Sequence, residues 1–292
     1  MKKKSSLKHT GAFWAFCAPC CILFGVFFLV PLVLSIAFSF TNYDGWKTID
    51  FVGLTNYITL FKDSKFYLSL GRTLLYTVCT LPFRVIIPLL VAVLLCSKRV
   101  AGKSLTRTMV YIPVLMSALV VGITINWMFS QEYGLLNFII RSLGGTALEW
   151  SLNPRLATFV IAFASVWASI GFNMILYIGG INSISNDLYE AATIDGASGV
   201  QAFFRITVPM LAPTTFMVVL LSTVNLLKEY ALVQGITQGG PGLSTTFIIQ
   251  YIFDKGFNQM QYGYASAIST VVMIIFALIA FAQFKVNNGG ET

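Results

Sequence analysis

Few residues in this 292-residue chain have types that could carry chemistry, and most of them stand in apolar surroundings. Cys17, Cys20 and Cys21 have the C-x-x-C-C spacing of a redox or metal motif. No second ligand pair follows, Cys79 and Cys96 lie in apolar runs, and the single histidine is His9. Ordered zinc sites and disulfide frameworks need more partners than this, so the five cysteines read as apolar filler. The chain has no GxxxxGK[ST] phosphate loop, no HExxH helix and no serine-histidine-acid set, and the glycine-rich run 235–242 lacks the lysine that a phosphate cradle uses. What remains is a set of polar side chains inside greasy segments. These are Asn225, Lys228 and Glu229, then Asn173 and Tyr177, then Asn126, Trp127 and Arg84. Such residues are costly in an apolar setting, so each carries a hypothesis. Asn225 with Glu229, and Asn173 with Tyr177, are four residues apart, which on a helix puts each pair on one face. Amides and carboxylates match sugar hydroxyls and aromatic rings match the C–H surface, so this inventory suits a saccharide pathway. The structural alternative is plain packing: Arg84 can join an interhelical pair, Lys228 and Glu229 can pair with a neighbouring subunit, and asparagines often tie helices together.

The elements that must position these residues follow from composition. Hydrophobic residues make up 57% of the chain and charged ones 10%, with a mean hydropathy of +0.79. That balance describes an all-α integral membrane protein. A hydrocarbon core of about 30 Å takes roughly 20 apolar residues per helix. Six stretches qualify, at about 13–38, 73–95, 108–129, 156–178, 211–233 and 264–284. Pro19, Pro31, Pro82, Pro88 and Pro113 fall in or beside them and predict kinks, not breaks. The net charge of +8 is concentrated in Lys2, Lys3, Lys4 and Lys8 and in the loop holding Lys98, Arg99, Lys103 and Arg107. Short basic loops face the cytoplasm, which makes residues 1–12 and 285–292 cytoplasmic tails and puts the loop at 181–209 inside the cell as well. The charge thus marks topology and gives no reason to expect nucleic acid; lipid is the expected surroundings.

That loop is too ordered for a plain connection. Ser185 can cap a helix over 186–194, and Asp187 suits the positive end of its dipole. Gly196 supplies a left-handed end. Ser198 with Gln201 spells a capping box for a second helix over 199–208, and Pro209 begins the next span. An amphipathic hairpin on the headgroups would read this way; so would a docking surface, where small Ala191 and Ala192 admit a partner's backbone and Glu190 fixes the register.

The spacing Glu190-Ala191-Ala192, Gly196, Ile206 and Pro209 resembles the E-A-A-x3-G-x9-I-x-L-P signature of the membrane subunits of binding-protein-dependent ABC importers, with Val208 in place of leucine. Leu232–Thr246, with its Gly239-Gly240-Pro241, is similar to the LT-x-GGP-x-x-x-T loop of the carbohydrate permeases in that family. Phe51-Val52-Gly53-Leu54-Thr55-Asn56-Tyr57 and Tyr262-Gly263-Tyr264-Ala265-Ser266-Ala267 resemble two further segments of the same branch. The resemblance implies six transmembrane helices with a cytoplasmic coupling helix between spans four and five. It implies that Glu190, Ala191, Ala192, Asp195, Gly196, Ile206 and Pro209 belong to the ATPase-coupling element. It also implies three partners: a second permease, a cytoplasmic ATPase dimer that carries the ATP and magnesium, and an extracytoplasmic sugar-binding protein. The chain itself would hold no cofactor and would not be an enzyme. For the substrate pathway the candidates are Asn225, Lys228, Glu229, Asn173 and Tyr177. A secondary carrier driven by an ion gradient is the alternative, but such carriers usually show internal repeats, and the two halves of this chain share none that is convincing. A scaffold that binds an ATPase without transporting anything is a weaker third reading.

Overall fold

A computed structural model describes residues 7–46, 49–97 and 102–288. Lys2, Lys3, Lys4, Lys98, Arg99 and the tail from 289 lie outside the described residues, as does the Lys8 side chain, so most of the charges behind the expected orientation are not among them. In chain order the helices are α1 (Leu7–Phe24), α2 (Val30–Phe38), α3 (Thr55–Leu60), α4 (Ser64–Cys96), α5 (Lys103–Leu115), α6 (Ala118–Met128), α7 (Leu135–Ser142) and α8 (Pro154–Asn182). There follow α9 (Asn186–Ile194), α10 (Gly199–Ala202), α11 (Val208–Met210), α12 (Ala212–Leu227), α13 (Ala231–Ile236), α14 (Ile248–Phe253) and α15 (Tyr262–Asn288). Wide π turns occupy Gly25–Leu29, Phe203–Thr207 and Asp254–Asn258. Among the described residues the only β pairing is an isolated bridge, Thr41 to Phe51.

Two of the π turns share one cause. The Val30 N–H donates to Gly25 O and the Val208 N–H to Phe203 O, and each donor stands just before a proline, Pro31 and Pro209. Proline lacks an N–H and its ring collides with the carbonyl four residues back. The preceding turn therefore opens by one residue. Pro19, Pro82 and Pro88 stay inside α1 and α4.

The expectation of kinks only is corrected at Pro113. It withholds its N–H from the last turn of α5, Met116 turns extended with ψ 145°, and the chain re-enters helix after Ser117. The axes of α5 and α6 then differ by 102°. Four helical runs are long and apolar enough to cross a membrane, 16–38, Ser64–Cys96, Pro154–Asn182 and Tyr262–Val286. The number reaches six if each of two bent pairs counts as one, α5 with α6, and Gly199–Met210 with α12 at 66°.

The chain forms two compact units, residues 1–64 with 252–275 and residues 65–251 with 276–292. In the first, the Asn56 amide donates to Ser39 O and Thr41 O at 2.9 and 2.8 Å. A Cβ at Gly263 would lie 2.1 Å from that same Thr41 oxygen, so only glycine fits, and its N–H donates to Tyr43 O at 2.9 Å. The Tyr264 hydroxyl donates to Asp63 Oδ2 at 2.7 Å. Two motifs separated by 200 residues thus close one polar knot. None of the span 16–38 is buried.

In the second unit two dry clusters organise the packing. One gathers Tyr76, Val121, Ile125, Val160, Ile161, Ala164, Leu226, Leu232 and Val233. Here α6 meets α13 at backbone contact: a Cβ on Gly235 would lie 2.7 Å from Leu119 O and 2.9 Å from Gly122 Cα. Small residues that let helices touch are a normal route to packing in lipid, where no hydrophobic force drives helices together. The other cluster gathers Ala92, Leu95, Met174, Tyr177, Ile178, Ile184 and Leu211, with Tyr189 and Ile206 packed on it.

Candidate functional site

The hairpin between α8 and α12 is built by local chemistry. Ser185 Oγ accepts the Asp187 N–H and caps α9. Gly196 holds φ +75°, a conformation that costs an L-residue with a Cβ roughly 1–2 kcal/mol. Ser198 and Gln201 complete both bonds of the capping box, at 2.8 and 3.3 Å. The second arm differs from the continuous helix expected over 199–208, because the π turn before Pro209 widens it.

The structure sorts the predicted coupling residues into a tip and a seat. Glu190, Ala191, Asp195 and Gly196 are exposed, Ala192 is half-buried, and Pro209 is exposed where the second arm begins its bend into α12. Ile206 instead packs inward on the cluster that holds Tyr177 and Leu211. It anchors the hairpin and does not face out. Sequence reasoning missed Ile194 and Leu188, which are 87% and 42% exposed. With Val200 and Phe204, 68% and 64% exposed, they make an apolar surface around Glu190. Exposed apolar groups at the end of an ordered, firmly seated element suit docking into a partner's cleft. The signal for Ile194 was present, since an isoleucine directly before a tight turn has no interior to enter.

The pathway candidates separate as well. Asn225 and Lys228 are exposed and Glu229 is half-buried. The expected common face of Asn225 and Glu229 is corrected: α12 ends at Leu227, so the two do not share a helix. At 16 residues α12 is roughly 24 Å long, short of a 30 Å core. Glu229 lies in the break, where its Oε1 accepts the Leu232 N–H at 3.4 Å and so caps α13. Asn173 is 3% exposed and its amide donates to Arg84 O and Ser222 Oγ at 2.9 and 3.2 Å. It ties α4, α8 and α12 together. Tyr177 is fully buried in the hairpin's seat. Asn225, Glu229, Asn173 and Tyr177 are therefore not one constellation in this conformation.

The Gly-Gly-Pro segment is a hydrogen-bonded knot. Thr237 Oγ1 and Thr245 Oγ1 are 2.7 Å apart, Thr245 Oγ1 also lies 2.7 Å from Gly240 O, and Gly239 takes φ +92°. The Ile248 N–H donates to Thr73 Oγ1 at 2.9 Å and Arg72 Nη1 donates to Leu243 O, which fastens the loop to α4. A turn that positions the following segment accounts for it better than a slack gate does. The five cysteines are free thiols, with Cys20, Cys21 and Cys79 exposed.

Comparison with known proteins agrees over almost the whole chain. The family described as "Binding-protein-dependent transport system inner membrane component" matches residues 54–288. The probable ABC transporter permease protein YesP of Bacillus subtilis (strain 168) is 32% identical over 99% of this chain and 94% of its own length. The arabinooligosaccharides transport system permease protein AraP of the same strain is 32% identical over 94% of this chain and 88% of its own. A chain in the crystal structure of a bacterial alginate ABC transporter in complex with an alginate pentasaccharide-bound periplasmic protein has the same fold. It aligns with a TM-score of 0.83 over 95% of this chain and 94% of that one, at 23% identity.

Proposed function

Since this chain belongs to the binding-protein-dependent transport system inner membrane components, and is thereby a multi-pass protein of the inner membrane, we propose that it is the permease of a sugar or oligosaccharide importer. Its similarity to AraP supports the saccharide class. Energy would come from ATP and magnesium held by a separate ATPase dimer. A second permease would complete the pathway, and an extracytoplasmic binding protein would deliver the sugar.

One observation carries this reading. The hairpin presents Glu190, Ala191 and Ile194 outward on an element whose base is packed into the membrane-spanning helices through Ile206 and Tyr189. An ATPase that grips the tip would move α8 and α12. Both termini and the hairpin then face the cytoplasm. Asn225 and Lys228, exposed on this chain alone, face the pathway or the second permease. No observation favours an ion-driven carrier.

The test is to purify the tagged chain from its own cells in mild detergent and identify what accompanies it. Recovery of an ATPase, a second permease and a saccharide-binding protein, with ATP-dependent uptake after reconstitution, is the expected result. A lone chain that transports without ATP overturns the proposal.

A further inference from the structure

Arg84 is the one arginine in the middle of a long apolar helix, α4, and it is 6% exposed. Its Nε and Nη2 both donate to Ser165 O, at 3.2 and 3.0 Å. A carbonyl satisfies N–H groups but leaves the positive charge uncompensated, and a buried charge is retained only with a partner. The chain has eleven acidic residues. Ten of them fall in loops, in the hairpin, in the short turn after α14 or in the tail, and the eleventh is Glu229.

Three further observations bring Glu229 to Arg84. Arg84 is the charged group within electrostatic reach of the Glu229 carboxylate, and the Tyr76 hydroxyl senses both. Tyr76, Thr80 and Arg84 recur every four residues and so share one face of α4. Tyr76 OH, Thr80 Oγ1 and Ser165 Oγ are buried and make no hydrogen bond among the described residues. Buried hydroxyls are nearly always partnered, so three orphans beside two charges mark a polar cluster whose bonds close in another arrangement. The residues flanking it, Ala164, Leu226 and Leu232, belong to one dry cluster, which keeps bulk solvent from screening the charges.

We propose that Glu229 is the counter-charge of Arg84, and that the pair, closing across the hydroxyls of Tyr76, Thr80 and Ser165, pins the break after α12 onto α4. Arg84 is then a positioning residue for transport. It fixes where α12 ends, hence where Asn225 and Lys228 point, and the Asn173 amide on Arg84 O secures the same turn of α4 to α8 and α12. The proposal rests on the transport reading only for its consequence. The pairing itself is a property of this chain.

The experiment compares wild type with Arg84→Gln, Glu229→Gln, the double variant and Arg84→Lys, each in the full complex. It reads membrane yield, thermal midpoint and ATP hydrolysis. Each single neutralisation should lower yield and midpoint and change the hydrolysis rate by about tenfold, as losing one partner of a buried pair does. The double variant should recover to within about threefold and Arg84→Lys should stay near wild type, because both keep the buried charge balanced. Additive losses in the double variant overturn the pairing, as does a silent Arg84→Gln. If a single variant fails to accumulate, restored accumulation of the double variant supports the pairing and a further drop overturns it. A wild-type complex without ATP hydrolysis would count against the proposed function alone, since yield and midpoint still report on the pair.

Discussion

The phenolic oxygen of Tyr189 lies 2.9 Å from Oγ1 of Thr207, and this hydrogen bond closes the base of the hairpin between α9 and the π turn that follows α10. Tyr189→Phe keeps the ring on the apolar seat and leaves the Thr207 hydroxyl, in a residue 6% exposed, without that partner. The expected cost is about 1 kcal/mol. Limited proteolysis of the hairpin should quicken several-fold while membrane yield stays unchanged.

Gly196→Pro should abolish ATPase recovery. Proline sets φ near −65° where the chain needs +75°, and it deletes the Gly196 N–H that donates to Thr193 O at 3.1 Å. Gly196→Ala keeps that bond and should lose only part of the recovery, with a strain of roughly 1–2 kcal/mol. Quantifying co-purified ATPase distinguishes the two.

Glu190→Lys and Ile194→Asp change exposed side chains, so the thermal midpoint should move little. Recovery of the ATPase should fall by about tenfold in each, because one reverses a charge and the other puts one into an apolar contact. Undiminished recovery in both would remove the hairpin's docking role.

Gly122→Val should destabilise the second unit by about 2 kcal/mol, as overpacking does. A Cβ there would lie 2.9 Å from Leu232 O and 3.0 Å from Gly235 Cα. Neither is the end of a flexible side chain. The thermal midpoint in detergent is the readout, and a smaller loss in Gly122→Ala would show that the contact is steric.

Asn225→Ala and Lys228→Ala should leave assembly intact and slow saccharide uptake, since both side chains are exposed on this chain. The check is uptake in proteoliposomes holding the complete complex, using the saccharide recovered with the binding protein.

Much of the hairpin was legible because its signals are local. Ser185, Gly196 and the Ser198–Gln201 pair each act over three or four residues, and the bonds form as their spacing implies. The breaks in the helices were not legible. Hydropathy averages over a whole span, and a two-residue extension at Met116 and Ser117, or a stop after Leu227, leaves the average unchanged. Lys228 and Glu229 were visible as costly residues, yet nothing local said that the helix ends just before them. Asn173 presents the same difficulty in another form. Its type suited a sugar, and its use depends on Arg84 O and Ser222 Oγ, which lie 89 and 49 residues away.

Ile206 on the hairpin and Tyr177 on α8 share one dry cluster, which makes the hairpin behave as a short handle welded to a long bar. Close-packed interiors compress little, so a load applied at Ile194 would not be spent in bending a slack loop. It would reach α8 as torque. Softening that weld, for example by trimming Ile206 to alanine, should leave the ATPase gripping its handle and hydrolysing while the bar turns less, and the defect would show as wasted strokes and not as lost binding.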